Sequence, residues 1–121
     1  MKRTHLLHLG RATLLAAAAT FALAVPTSAR AATGAQLWAQ KCAMCHGKDG
    51  KGNTGMGKRQ KIANFTTAKF QKSVTDAQIE STIKTGVNRT KDGVKQRMFP
   101  ARGLSAAQIT SLVKYVRSLK K

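Results

Sequence analysis

The sequence predicts an all-α domain of three main helices joined by long loops. Three observations predict it: the same helix-start signal occurs three times, no segment alternates apolar and polar residues as a half-buried strand would, and two long stretches between the signals carry no helical pattern. The 121 residues leave room for one small domain. Its aromatic residues are only Phe21, Phe65, Phe70, Phe99, Trp38 and Tyr115. A core this modest commonly relies on a disulfide, a metal or a cofactor as additional filling.

The chain opens with Met1, Lys2 and Arg3, continues with an apolar, alanine-rich run from Ala12 to Val25, and then meets Pro26 and small residues. This is the pattern of a secretory signal peptide over residues 1–31, with cleavage after Ala29 or Ala31 and a mature domain over 32–121. The run is shorter than the roughly 18 to 20 apolar residues that span a bilayer. A soluble, monomeric protein exported to the periplasm is therefore expected.

The full chain carries 22 basic and 4 acidic residues, a net charge of +18. Removing the leader takes away Lys2, Arg3, Arg11 and Arg30 and no acidic residue, which leaves +14 against Asp49, Asp76, Glu80 and Asp92. Such a balance concerns partners and association rates rather than fold. Export argues against nucleic acid and favours acidic redox proteins, with peripheral contact to anionic membrane as a second outlet for the same charge.

The three start signals are capping boxes: Thr33 with Gln36, Thr75 with Gln78, and Ser105 with Gln108. The first predicts a helix from Gly34 to about His46. The second predicts one from Asp76 to about Thr85, burying Ile79 and Ile83 and ending at Gly86. The third begins at Ala106 and lines up Ile109, Leu112, Val113 and Val116 on one stripe. Between the first two, Gly47 to Lys61 holds five glycines and reads as loop, as does the polar stretch from Val87 to Gly103, broken by Pro100. Loops of that length in so short a chain are usually functional, and they need something to enclose.

Cys42-Ala43-Met44-Cys45-His46 supplies it, because C-x-x-C-H is the pattern of covalent haem attachment. Residues three and four apart share one side of a helix, so two thiols and an imidazole face the same way. The thiols can add to the haem vinyl groups while His46 binds the iron. Attachment of that kind takes place outside the cytoplasm, in agreement with the leader. A plain disulfide leaves the adjacent histidine unexplained, a thioredoxin-like pair wants strands, and zinc wants a fourth ligand.

His5 and His8 lie in the leader, so His46 is the only histidine of the mature chain, and ligation by two histidines of this chain is excluded. The iron's other face is open to Met98, Met56, a lysine, or nothing. Met44 stands two residues from His46 and points off the haem side. Met98, just before Phe99-Pro100-Ala101, is the preferred ligand, since proline stiffens the loop that would close over the ring. The competing role for Met98 is a thioether that merely packs on it.

Gly34, Trp38, Cys42, Cys45, His46, Gly47, Met98, Pro100, Leu112 and Tyr115 together resemble a class I c-type cytochrome over essentially the whole mature chain. The resemblance implies a small cytochrome c fold wrapped around one haem c, with Cys42 and Cys45 as attachment points and His46 and Met98 as axial ligands. It also implies that Gly34 and Trp38 cross Leu112 and Tyr115 where the terminal helices meet. Two positions depart from the family pattern: Phe99 separates Met98 from Pro100, and no proline after the motif offers its carbonyl to the ligand histidine. A backbone carbonyl of the glycine-rich loop is expected to accept from His46 instead. The function so implied is a periplasmic carrier of single electrons, not an enzyme. The alternative is an open-site haem protein that binds ligands or turns over substrate.

Overall fold

The computed structural model describes residues 31–121. The leader and its cleavage, read above from residues 1–31, fall outside them apart from Ala31. No described helix is long and apolar enough to cross a membrane.

Six helices and one hairpin follow in order: α1 (Gly34–Lys41), α2 (Ala43–His46), α3 (Gly55–Arg59), α4 (Ala68–Ser73), α5 (Asp76–Thr85), β1 (Val87–Lys91), β2 (Val94–Met98) and α6 (Ala106–Ser118). All three capping boxes form, at Thr33, Thr75 and Ser105. The helix expected over Gly34–His46 is two helices, bent at Cys42, whose φ of −118° widens the turn. Backbone bonds bridge the bend, from Cys42 N–H to Trp38 O (2.9 Å) and from His46 N–H to Cys42 O (3.0 Å).

The stretch Gly47–Lys61, expected as loop, contains the short helix α3, and α4 forms in the segment after it, to which the sequence assigned no element. Thr54 caps α3 by accepting from Gly57 N–H at 2.8 Å, and Thr67 caps α4 by accepting from Phe70 N–H at 3.2 Å. The third correction is the hairpin. β1 and β2 pair antiparallel from Val87 opposite Met98 to Lys91 opposite Val94, with Asp92 and Gly93 forming the two-residue turn. Both turn residues have positive φ, 49° and 71°, as a type I′ turn requires.

The core lies where α1, α5 and α6 meet. Leu37, Trp38, Ile79, Ile83, Ile109, Leu112, Val113 and Val116 form one buried cluster, with Leu112 only 1% exposed. α1 packs directly on α6, and Gly34 permits it: a Cβ there would run into the carbonyl oxygen of Ser111 and reach the Cβ of Tyr115 at 3.0 Å. At the far end of α6, Arg117 gathers α4 and the start of α5. Its guanidinium donates to Asp76 Oδ1 (2.6 Å), Val74 O (2.6 Å), and Gln71 O and Oε1 (3.0 and 3.1 Å).

α3 ends in a Schellman motif. Ile62 N–H reaches back to Gly57 O (2.9 Å) and Lys61 N–H to Lys58 O (3.3 Å), with Lys61 held at φ 48°. A lysine in the left-handed region costs about 1 kcal/mol relative to glycine. Lys61→Gly is accordingly expected to raise stability by about 1 kcal/mol in denaturant melts, offset in part by the greater freedom of an unfolded glycine.

Candidate functional site

A cavity of about 850 Å³ opens between α2, α3, α5 and the hairpin, within the range of small-molecule and cofactor pockets. Cys42, Cys45 and His46 all line it, as do Met56 and Met98. The elements that bring them there are local. α2 presents the motif, the Thr54 cap aims Met56, and the strand alternation that puts Val94, Gln96 and Met98 on one face aims Met98. Both cysteines are free and half-buried. Burial pushes the Cys42 thiol up to about 11, against a smaller opposing pull from the Lys41 charge.

His46 is held between rings. Its centroid lies 5.6 Å from Trp38 and 5.0 Å from Phe65, and Trp38 in turn lies 5.5 Å from Tyr115. Burial lowers the pKa of His46, which keeps the imidazole neutral at neutral pH, the form in which it binds metal. Nδ1 is enclosed and has no partner among the described residues, which leaves Nε2 as the nitrogen on the cavity side. The expected acceptor in the glycine-rich loop is therefore not there. The carbonyls nearest the motif are engaged elsewhere: Gly47 O accepts from Trp38 Nε1 (3.0 Å), His46 O from Gly52 N–H (2.8 Å), and Cys45 O from Thr54 Oγ1 (2.6 Å).

Met98 is the last residue of β2 rather than part of an irregular loop. Gly86 makes room for it: at φ 75° and ψ −167°, a conformation open essentially to glycine, the chain passes so close that a Cβ would strike the Met98 carbonyl and lie 3.0 Å from Pro100 N. Ala101 N–H then donates to Ile83 O at 2.9 Å, which fixes the chain just beyond Met98 onto α5. Met44 is 85% exposed, yet it lines the cavity beside Cys42 and Cys45, contrary to the expectation that it points off the haem side. Phe99 is 73% exposed and carries the Arg97 guanidinium 5.2 Å from its ring centre.

Every charged side chain on the cavity wall is a cation: Lys41, Arg89, Arg97 and Arg102. Lys48 and Lys51, basic residues just after the motif, do not line it. The wall thus joins two thiols, a neutral imidazole, three thioethers, aromatic surface and positive charge. That donor set suits an iron porphyrin with thioether links and two acidic side groups, so the residues fit haem. Gln60 and Gln96, which the sequence gave no reason to notice, also line the cavity. The Asp92-Gly93 turn was the signal that could have exposed the hairpin carrying Gln96 and Met98.

Comparison with known proteins agrees with this geometry. The profile of the cytochrome c family ("Cytochrome c") matches residues 31–120. The chain is 35% identical over 97 residues to "Cbb3-type cytochrome c oxidase subunit CcoP" of Rhodobacter capsulatus, an alignment covering 74% of this chain and 29% of that one. The chain therefore spans under a third of the length of that curated relative. Among solved structures it is similar to "KustC0563 c-type cytochrome", with a TM-score of 0.61 and 30% identity over 74% of this chain and all of the other. A point mutant of the same protein matches with a TM-score of 0.59, 29% identity and the same coverage.

Proposed function

This chain belongs to the cytochrome c family, with a C-x-x-C motif that implies covalent haem c, and from that membership we propose that it is a periplasmic carrier of single electrons with His46 and Met98 as axial ligands. Haem-based electron transfer is the family's work, and its domains operate outside the cytoplasm. When bound, haem c supplies a ferric/ferrous couple. Cys42 and Cys45 would tether the ring, and His46 would bind the iron through Nε2, held in place between Trp38 and Phe65.

The observation that carries the reading is that His46 and Met98 line the same cavity from elements far apart in sequence. Met98 is favoured over Met56 by placement. α3 packs on α2, and Thr54 ties it to Cys45, so Met56 arises on the same side of the cavity as the motif. Met98 arises from the hairpin. A carrier rather than an enzyme is favoured by the wall itself, which holds no carboxylate. Asp76 and Glu80 are spent on ion pairs with Arg117 and Lys84, and Asp49 accepts from the Lys51 N–H.

Absorption spectra of the ferric and ferrous protein, made with haem-attachment machinery and then treated with alkaline pyridine, test the reading. A pyridine spectrum of thioether-linked haem and a sulfur-to-iron charge-transfer band in the ferric state are expected. A colourless protein, or a ferric form that lacks the band and binds carbon monoxide when reduced without delay, would refute it.

An oxidase or another acidic redox protein is the partner class, given the CcoP likeness and the basic surface. Lys41, Arg97 and Arg102 stand at the cavity mouth, where an approaching acidic surface would meet them. Electron transfer to such a partner is expected to slow steeply between low salt and 0.1 M, where the Debye length is about 10 Å. Stopped-flow rates flat across that range would remove the steering role.

A further inference from the structure

The two strands that carry Met98 make a small sheet, and two strands alone are marginally stable. Beyond Met98 the chain is fixed by Ala101 on α5 and by the contact with Gly86. Before it, the anchor is Gln60. This residue caps the C-terminus of α3, and its side chain crosses to β2. The Arg97 N–H can only donate, so the Gln60 amide turns Oε1 toward it, at 2.6 Å. Nε2 is left for an acceptor and finds Met56 Sδ at 2.9 Å.

The reverse contact is also made. Gln96 Nε2 donates to the carbonyls of Gln60 (2.9 Å) and Lys61 (3.3 Å), while Arg89 Nε donates to Gln96 Oε1 (2.9 Å). The Schellman turn is what points those two carbonyls outward, since neither continues the helix. Three hydrogen bonds therefore join the end of α3 to the two residues that precede Met98. α3 is itself tied to the haem motif by Thr54 Oγ1 on Cys45 O. A continuous path of short contacts runs from Cys45 through Thr54, α3, Gln60 and Arg97 to Met98.

We propose that Gln60 is a positioning residue for Met98, fixing the strand that carries the sixth ligand at a set distance from the motif that carries the fifth. This rests on the reading of Met98 as the ligand. The working atom is Oε1 on the Arg97 N–H. The bond to Met56 only steadies the amide.

Holoproteins carrying Gln60→Ala, Gln60→Glu, Met56→Leu and Met98→Ala test it, read by the ferric charge-transfer band, cyanide affinity and thermal melting. Gln60→Ala removes one bond to a backbone N–H, so cyanide should bind about tenfold more tightly, with a band that fades at lower temperature than in the parent. Gln60→Glu keeps an acceptor for Arg97 and should restore parental affinity, and Met56→Leu should match the parent. The proposal is overturned if Gln60→Ala lowers the melting temperature but leaves cyanide affinity unchanged, if Gln60→Glu is as weakened as alanine, or if Met56→Leu reproduces the alanine effect. Met98→Ala separates the two levels. If it keeps the band, the ligand assignment fails, whereas its loss alongside an indifferent Gln60→Ala fails the positioning role alone.

Discussion

Met98→Ala is expected to abolish the sulfur-to-iron charge-transfer band and open the iron to cyanide and carbon monoxide. The other thioethers lining the cavity are Met44, two residues from His46 in the motif itself, and Met56, which rises from α3 beside the motif and already accepts from Gln60. Axial ligands spread haem potentials over about 0.8 V, and a thioether favours the ferrous state, so the midpoint should fall by on the order of 0.2 V. Voltammetry of the two proteins measures the change directly. An unchanged potential would mean that Met98 only packs on the ring.

The largest effect on the fold is expected at Gly34. A β-branched side chain there would be driven into the Ser111 backbone and the root of Tyr115, neither of which can swing aside as a flexible side-chain tip could. Gly34→Val should therefore cost about 3 kcal/mol, at the upper end for overpacking and a large part of the roughly 5 to 15 kcal/mol that holds a domain folded. Chemical denaturation of the holoprotein would show it as a shifted midpoint with little change in slope. The same substitution pushes Trp38 from Tyr115, so His46 should lose one of its two flanking rings.

Several elements were legible because the residues that specify them are close together in the chain. Thr75 with Gln78 and Ser105 with Gln108 start α5 and α6 at the positions read from the sequence, and Gly86 stops α5. Cys42, Cys45 and His46 share a wall because their spacing is local, and a bend at Cys42 does not undo it. The hairpin was missed because its inner face runs Val87, Arg89, Lys91 on one strand and Val94, Gln96, Met98 on the other, too polar to read as alternation. Its pairing is carried by the backbone and the Asp92-Gly93 turn. α3 and α4 are one-turn helices started by single threonine caps, too short to show any period. Gln60 was invisible for a different reason: its partners on β2 lie 36 and 37 positions away.

The crossing of α1 with α6 also says something about time. These helices stand at opposite ends of the described chain, so their contact closes a loop of more than sixty residues, the slow kind of event in folding because its entropy is lost before any contact repays it. Until α6 arrives, Trp38 has no Tyr115, Leu37 has no completed core, and the motif just after α1 sits on an unclosed chain. The thiols are then more accessible than in the folded chain without haem, where both are half-buried and burial raises the pKa of Cys42. Docking of α6, the last described helix, on α1 is thus expected to be the step that ends access to the motif.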